Sequence, residues 1–307
     1  MAQSIIYSII IPHFNVPNLL ERCLASIPPK DYLQIIVVDD CSSEKGKKTL
    51  EKLEEKYQSV EFYHLQHNQG GGAARNAGLK HAKGRYVLFA DADDFFLPSI
   101  DLLLDEYKSK DFDVAFFNAN SVDSENFFPT KRALYLNKIF KLCNFSQSKG
   151  IRLLKYSFGE PWGKIILKKM LDDNQICFDE TKIHNDTKFS YLVGFYSKNV
   201  LVDSRPLYCI TERLNSVSKD ISDEKQLTRL HVFAKKNLFL KMKKVNFFDE
   251  QIFYPFVFFK KNGKKNMVVE SYNILEQYGY NLIFFKIKLF KFECIMIIKK
   301  LIKRIFT

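Results

Sequence analysis

Asp91, Asp93 and Asp94 crowd three carboxylates into four residues directly after an apolar run. Like charges that close raise one another's pKa unless a cation shares the site. Carboxylate oxygens are hard ligands suited to Mg2+ or Mn2+, ions that also bind diphosphates. A divalent ion bridging these aspartates to a diphosphate would stabilise charge on a departing nucleotide. A solvated acidic turn ahead of the helix near Pro98 is the other reading of the same residues. Gly70-Gly71-Gly72 fits a phosphate or sugar contact, or a plain flexible turn. It lacks the G-K-[ST] ending of a P-loop and does not follow a first strand. Arg75 beyond it supplies a cationic donor or a surface charge. Asn185-Asp186 fits a helix cap. Trp162, the single tryptophan, offers a ring for sugar C–H faces or a core side chain. His13 and His184 read as structural.

These residues need elements to position them. Residues 5–11 are apolar and β-branched up to Pro12, the pattern of a buried strand. Residues 19–27 carry apolar side chains at helical spacing and stop before Pro28. Residues 34–38, 60–65 and 85–90 read as further strands, with a charged helix over 47–57. A helix follows the glycine loop through Lys83. Alternating strands and helices imply a parallel sheet with helices on both faces and ligands beyond the carboxyl ends of its strands. Those ends carry Pro12 to Asn15, Asp39-Asp40 and the 91–94 cluster. Three polar clusters therefore fall on one sheet edge. Strands are also expected at 114–118 and 200–202, and helices at 149–156 and 186–197.

Read in order, these segments resemble the inverting family 2 glycosyltransferases, which share the GT-A fold. S-I-I-I-P-H-F-N at 8–15 resembles the opening P-x-Y-N strand, and I-I-V-V-D-D-C-S-S at 35–43 the V-D-D-x-S strand. N-Q-G-G-G-A-A-R-N-A-G-L at 68–79 is similar to N-x-G-x-x-x-A-R-N-x-G, and Y-V-L-F-A-D-A-D-D at 86–94 to the D-x-D-D metal segment. P-W-G-K-I at 161–165 resembles the acceptor-half W-x-K, H-N-D at 184–186 falls where E-D is usual, and Arg213 with Ser216 matches R-x-x-S.

The resemblance implies an α/β fold: a Rossmann-like, mostly parallel sheet flanked by helices, with a C-terminal helical extension. It implies a catalytic domain over 1–220, divided into a nucleotide-sugar half (1–110) and an acceptor half (111–220). By the same resemblance Pro12, Asn15, Asp39, Asp40, Asn68, Arg75 and Asp91 hold the donor, a UDP-sugar. Asp91, Asp93 and Asp94 hold Mn2+ or Mg2+. Trp162, Asn185 and Arg213 meet the acceptor, a glycan or lipid-linked sugar of a bacterial surface polysaccharide. Asp186 takes the acceptor proton. Asn185 replaces the usual Glu, and a neutral neighbour removes one like-charge influence, so Asp186 is expected to be a weaker base than in relatives. A sugar-nucleotide pyrophosphorylase would carry G-x-G-T-R after its first strand, where P-H-F-N stands instead. A non-catalytic sugar- or partner-binding protein on this scaffold would be expected to lose carboxylates that this chain keeps.

Charge separates the two ends of the chain. Residues 221–307 hold 18 Lys plus Arg against 7 Asp plus Glu, almost all of the net +12. A basic tail on a near-neutral body argues against a nucleic-acid partner and for an anionic lipid surface. Ile283, Ile287, Phe290, Cys294, Ile297, Leu301 and Ile305 form one apolar stripe on a helix, and the lysines avoid it. Residues 282–307 are thus expected to lie on an anionic membrane. Docking on the catalytic domain, or pairing of two subunits in a homo-oligomer, is the alternative. Six cysteines without a C-x-x-C pair, no signal-like start and no long apolar run suggest a cytoplasmic protein, peripheral on the inner face of the plasma membrane.

Overall fold

The computed structural model describes residues 4–181, 183–213 and 222–305, with side chains through residue 300. Ser216 lies outside the described residues. The chain divides into two compact units, Met1–Ser216 and Val217–Thr307.

The first unit opens with strand β1 (Tyr7–His13), helix α1 (Pro17–Ala25), β2 (Leu33–Asp39), α2 (Glu44–Lys56), β3 (Val60–His64), α3 (Gly71–His81) and β4 (Tyr86–Phe89). β1 is buried on both faces apart from Pro12, which is why its sequence is mostly apolar and not alternating. Pro17 starts α1, where a missing N–H costs nothing. The four strands run parallel in the order β3-β2-β1-β4. Their register places His13 beside Asp39 and Asp39 beside His64. The expected sheet edge therefore forms.

The second half of this unit holds β5 (Phe95–Phe96), α4 (Ser99–Tyr107), β6 (Val114–Asp123), α5 (Leu134–Phe145), α6 (Gln147–Tyr156), β7 (Lys164–Leu167), α7 (Lys168–Asp173), α8 (Asn185–Tyr196) and β8 (Val200–Glu212). The full sheet has eight strands in the order β3-β2-β1-β4-β7-β6-β8-β5. β7 runs antiparallel to both β4 and β6, and β5 antiparallel to β8. The parallel order expected from the first third thus becomes mixed in the acceptor half. Phe89, Phe178 and Phe189 fill the space under the strand ends, the last two stacked 3.9 Å apart.

The second unit is helical: α9 (Asp223–Met242), a 3-10 turn (Glu250–Phe253), α10 (Tyr254–Lys261), α11 (Lys265–Gln277) and α12 (Leu282–Ile305). Leu230, Phe233, Phe253, Phe256, Leu275 and Phe285 form its core. α12 docks there through Phe285, Leu289 and Phe292, not through the stripe expected from the sequence. That stripe, from Ile283 (72 % exposed) through Phe290 and Ile297, faces away from the core. The helix has two apolar faces because phenylalanines and isoleucines interleave at both helical offsets. Leu301 and Ile305 of the stripe fall outside the described side chains. No helix among the described residues is long and apolar enough to cross a membrane.

α8 reaches the sheet edge only because Gly194 lets it lie against α6. A Cβ at Gly194 would collide with the Lys155 carbonyl. Gly194→Ala is expected to destabilise the first unit by roughly 1–3 kcal/mol or more, read as a lower Tm.

Candidate active site

The β1 and β2 ends are locked to each other before any ligand arrives. Asp39 is 1 % exposed. It accepts from His13 Nδ1 (2.8 Å), Ser42 N (2.9 Å) and Ser42 Oγ (2.5 Å). Burial pushes its pKa up, but these hydrogen bonds outweigh burial and bring it down to about 2. His13 Nε2 accepts from the Val16 N–H, so the ring proton sits on Nδ1 and the imidazole is a neutral strut. Asn15, at φ 55°, accepts from Ser43 N and Oγ at 2.9 Å and joins the two loops. Pro12 lies within the β1–β2 ladder opposite Val38. The neighbouring Asp40 accepts from the Gln69 and Gly70 N–H groups at 2.7 Å each, and its carbonyl accepts from Asn68 Nδ2. Asp40 thereby clamps the glycine loop. Gly70 takes φ 88°, and a Cβ at Gly72 would strike the Asp179 carbonyl. Two of the three glycines are therefore sterically required.

The aspartate cluster divides into two open carboxylates and one buried one. Asp91 and Asp93 side chains are 29 % and 25 % exposed and pair with Arg75 and Arg213. Asp94 is buried and accepts from Thr211 N at 2.7 Å. Burial, followed by the charges of Asp91 and Asp93, pushes its pKa well up. Asp94 is thus a tie to β8 and not an open ligand as expected. The loop backbone is held as tightly. Asp91 N donates to Tyr208 Oη (2.8 Å), and the Asp93 carbonyl accepts from Arg22 (2.5 Å) and Thr211 Oγ1 (2.6 Å). Among the described residues no three His, Cys, Asp or Glu side chains converge on a metal site.

Arg75 spans the cleft. One guanidinium nitrogen meets Asp91 (2.5 Å) and another meets Asn185 Oδ1 (3.2 Å) at the start of α8. Its Nε, like that of Arg213, is buried without an acceptor. Beside Asn185 stands Asp186, partly exposed. Burial raises its pKa to about 6, helped by the Glu160 and Asp91 charges and opposed by Arg75. The neutral Asn185 does not leave Asp186 at the ordinary carboxylate value, because burial and then the Glu160 charge raise it.

Residues 8–174, more than half of the 307, match the family described as Glycosyl transferase family 2. The chain belongs to glycosyl transferase family 2. It is similar to Glycosyltransferase GlyA of Streptococcus pneumoniae, at 26 % identity over 69 % of this chain and 31 % of that protein. A poly(ribitol-phosphate) beta-glucosyltransferase of Bacillus spizizenii is 41 % identical over 29 % of this chain and 15 % of its own length. The chain thus spans about a third or less of these curated relatives. The crystal structure of S. aureus TarS 1–349 in complex with UDP-GlcNAc superposes with a TM-score of 0.58 at 25 % identity, covering 88 % of this chain and 72 % of that one. The fold is GT-A, and membership of this family replaces the pyrophosphorylase alternative.

Three residues of the second half of the first unit are placed by the structure. Trp162 is 5 % exposed, stacked on Tyr208 and edge-on to Phe158. It belongs to the core, where it backs the tyrosine that holds Asp91 N. Lys164 of the W-x-K segment is 1 % exposed and donates to the Phe158 and Glu160 carbonyls and Ser190 Oγ. That buried ammonium fixes the turn bearing Glu160. Arg213 pairs with Asp93. Sequence reading missed Arg22, Tyr208, Thr211 and Glu160, which join the site only through tertiary packing. Glu160 had one signal, its place directly before P-W-G-K.

A carboxyl whose folded pKa lies above its unfolded value near 4 stabilises the fold as pH drops through about 6 and destabilises it above. Asp186→Asn is therefore expected to raise Tm by a few degrees at pH 8, with the gain vanishing toward pH 4 in thermal melts.

Proposed function

We propose that this protein is an inverting glycosyltransferase that moves a sugar from a UDP-sugar to a glycan or lipid-linked acceptor in bacterial surface polysaccharide synthesis. The observation that carries this reading is the Arg75 bridge. It joins the open aspartate Asp91 to Asn185 at the start of α8, next to Asp186. UDP comes from similarity to TarS, whose structure was solved with UDP-GlcNAc. The polymer acceptor comes from the poly(ribitol-phosphate) relatives.

The chain's own residues account for the steps. The β1 and β2 loops and Asn68 bound the donor pocket, with Asp39 and Asp40 keeping its walls in place. The guanidinium groups of Arg75 and Arg213 put positive charge beside Asp91 and Asp93, where a diphosphate would lie. Asp91 and Asp93 would hold Mg2+ or Mn2+. Two partly exposed carboxylates suit an ion that takes its remaining ligands from phosphate and water. Bound there, the ion would neutralise charge on the departing UDP. Asp186 accepts the acceptor hydroxyl proton as the oxygen attacks the anomeric carbon and the UDP oxygen leaves, giving inversion. At neutral pH a carboxyl titrating near 6 is mostly ionised and basic enough to take that proton.

α12's outward apolar face and the lysines of the second unit support a position on the cytoplasmic face of an anionic membrane. Self-association through that face is the competing arrangement. Size-exclusion with light scattering separates the two.

Turnover of a UDP-sugar is expected to show an acidic limb of kcat/KM near pH 6, since the base must be ionised. Asp186→Asn should lower kcat by about 10²- to 10⁴-fold with donor binding retained. Near-wild-type turnover in that variant would remove Asp186 from the base role. The product's anomeric configuration, read by NMR, should be opposite to the donor's.

A further inference from the structure

The helical second unit contains a cavity of about 650 Å3 between the last turns of α9, the segment 244–248 and the start of α12. Lys241, Lys244 and Lys288 line it, and no Asp or Glu does. All three lysines are exposed, and among the described residues none is paired with a carboxylate. The Lys288 ammonium sits 4.0 Å from the Phe248 ring centroid at the wall. Lys244 follows the end of α9 in the left-handed region, at φ 56°.

Three cations around an aromatic wall suit a ligand with a phosphoryl group at one end and hydrocarbon at the other. Phe284 indicates where that ligand comes from. It lines the cavity and is 68 % exposed, next to Ile283 and Ile287 on the outward face of α12. The cavity mouth therefore runs into an apolar surface that a water-soluble phosphate would not use.

We propose that this cavity seats the phosphoryl headgroup of an anionic membrane amphiphile, while the outward face of α12 lies at the acyl-chain boundary beside it. This rests on the membrane placement given above, and the test separates the two.

The full-length protein is floated with phosphatidylcholine vesicles and with mixed phosphatidylcholine–phosphatidylglycerol vesicles. Lys241→Glu/Lys288→Glu is compared with Lys261→Glu/Lys265→Glu, an equal charge change away from the cavity, and Lys241→Gln/Lys288→Gln gives a milder version. Circular-dichroism melts confirm that all fold. The wild type should bind the mixed vesicles and not the neutral ones. The cavity pair should weaken this on the order of tenfold or more, and the control pair by less than about threefold. Equal loss in both pairs would overturn the headgroup site and leave the membrane placement standing. No binding by the wild type would overturn both. A rise in Tm with free glycerol phosphate in a protein that ignores vesicles would assign the cavity to a soluble phosphate and overturn the membrane source.

Discussion

Three carboxylates at the end of β4 repel one another, and the first unit is arranged around holding them in place. Each is handled differently. Asp94 is buried against the Thr211 N–H, Asp91 is matched by Arg75, and Asp93 by Arg213. The groups come from α3, from β8 and from the segment just after β8, with Arg22 of α1 and Tyr208 of β8 fixing the loop backbone. Two carboxylates thus remain open to the cleft, while the third secures the loop to a strand more than a hundred residues away.

The same arrangement ties the loop after β4 to the start of α8. Arg75 cannot move from Asp91 without also releasing Asn185 at the start of α8. α8 is positioned in turn by its packing on α6 at Gly194 and by the Lys164–Ser190 contact. Asp186 gains its raised pKa from this placement, since burial and the Glu160 carboxylate act on it only when α8 and the 158–160 turn are both seated.

Much of the nucleotide half was readable in the residues. The runs ending in Pro12, Asp39 and Ala90 are strands because a parallel sheet covered on both faces favours near-continuous apolar residues, with the buried Ser8 and Gln34 bonded to each other. Their order fixed which clusters share an edge. The acceptor half was less legible. β5 is two residues long, and β7 looks like an ordinary apolar stretch until β4 and β6 flank it. Trp162 could not be assigned to core or cleft without knowing where Tyr208 lies. For Asp186, the sequence pointed to the neighbouring residue 185, whereas the carboxylate that acts on it is 26 positions away. In α12 the periodicity identified a real apolar stripe, but a second stripe, Phe285–Leu289–Phe292, took the core. Two interleaved stripes cannot be ranked without the helices they meet.

The central claim is that Asp91 and Asp93 form the metal-assisted diphosphate site of this glycosyltransferase. Calorimetric titration of UDP, with Mn2+ and with chelator, tests it most directly on wild type and Asp93→Asn. UDP should bind the wild type at least about tenfold more tightly with Mn2+ than without, and Asp93→Asn should lose that difference. Equal UDP affinity with and without metal, unchanged by Asp93→Asn, would contradict it.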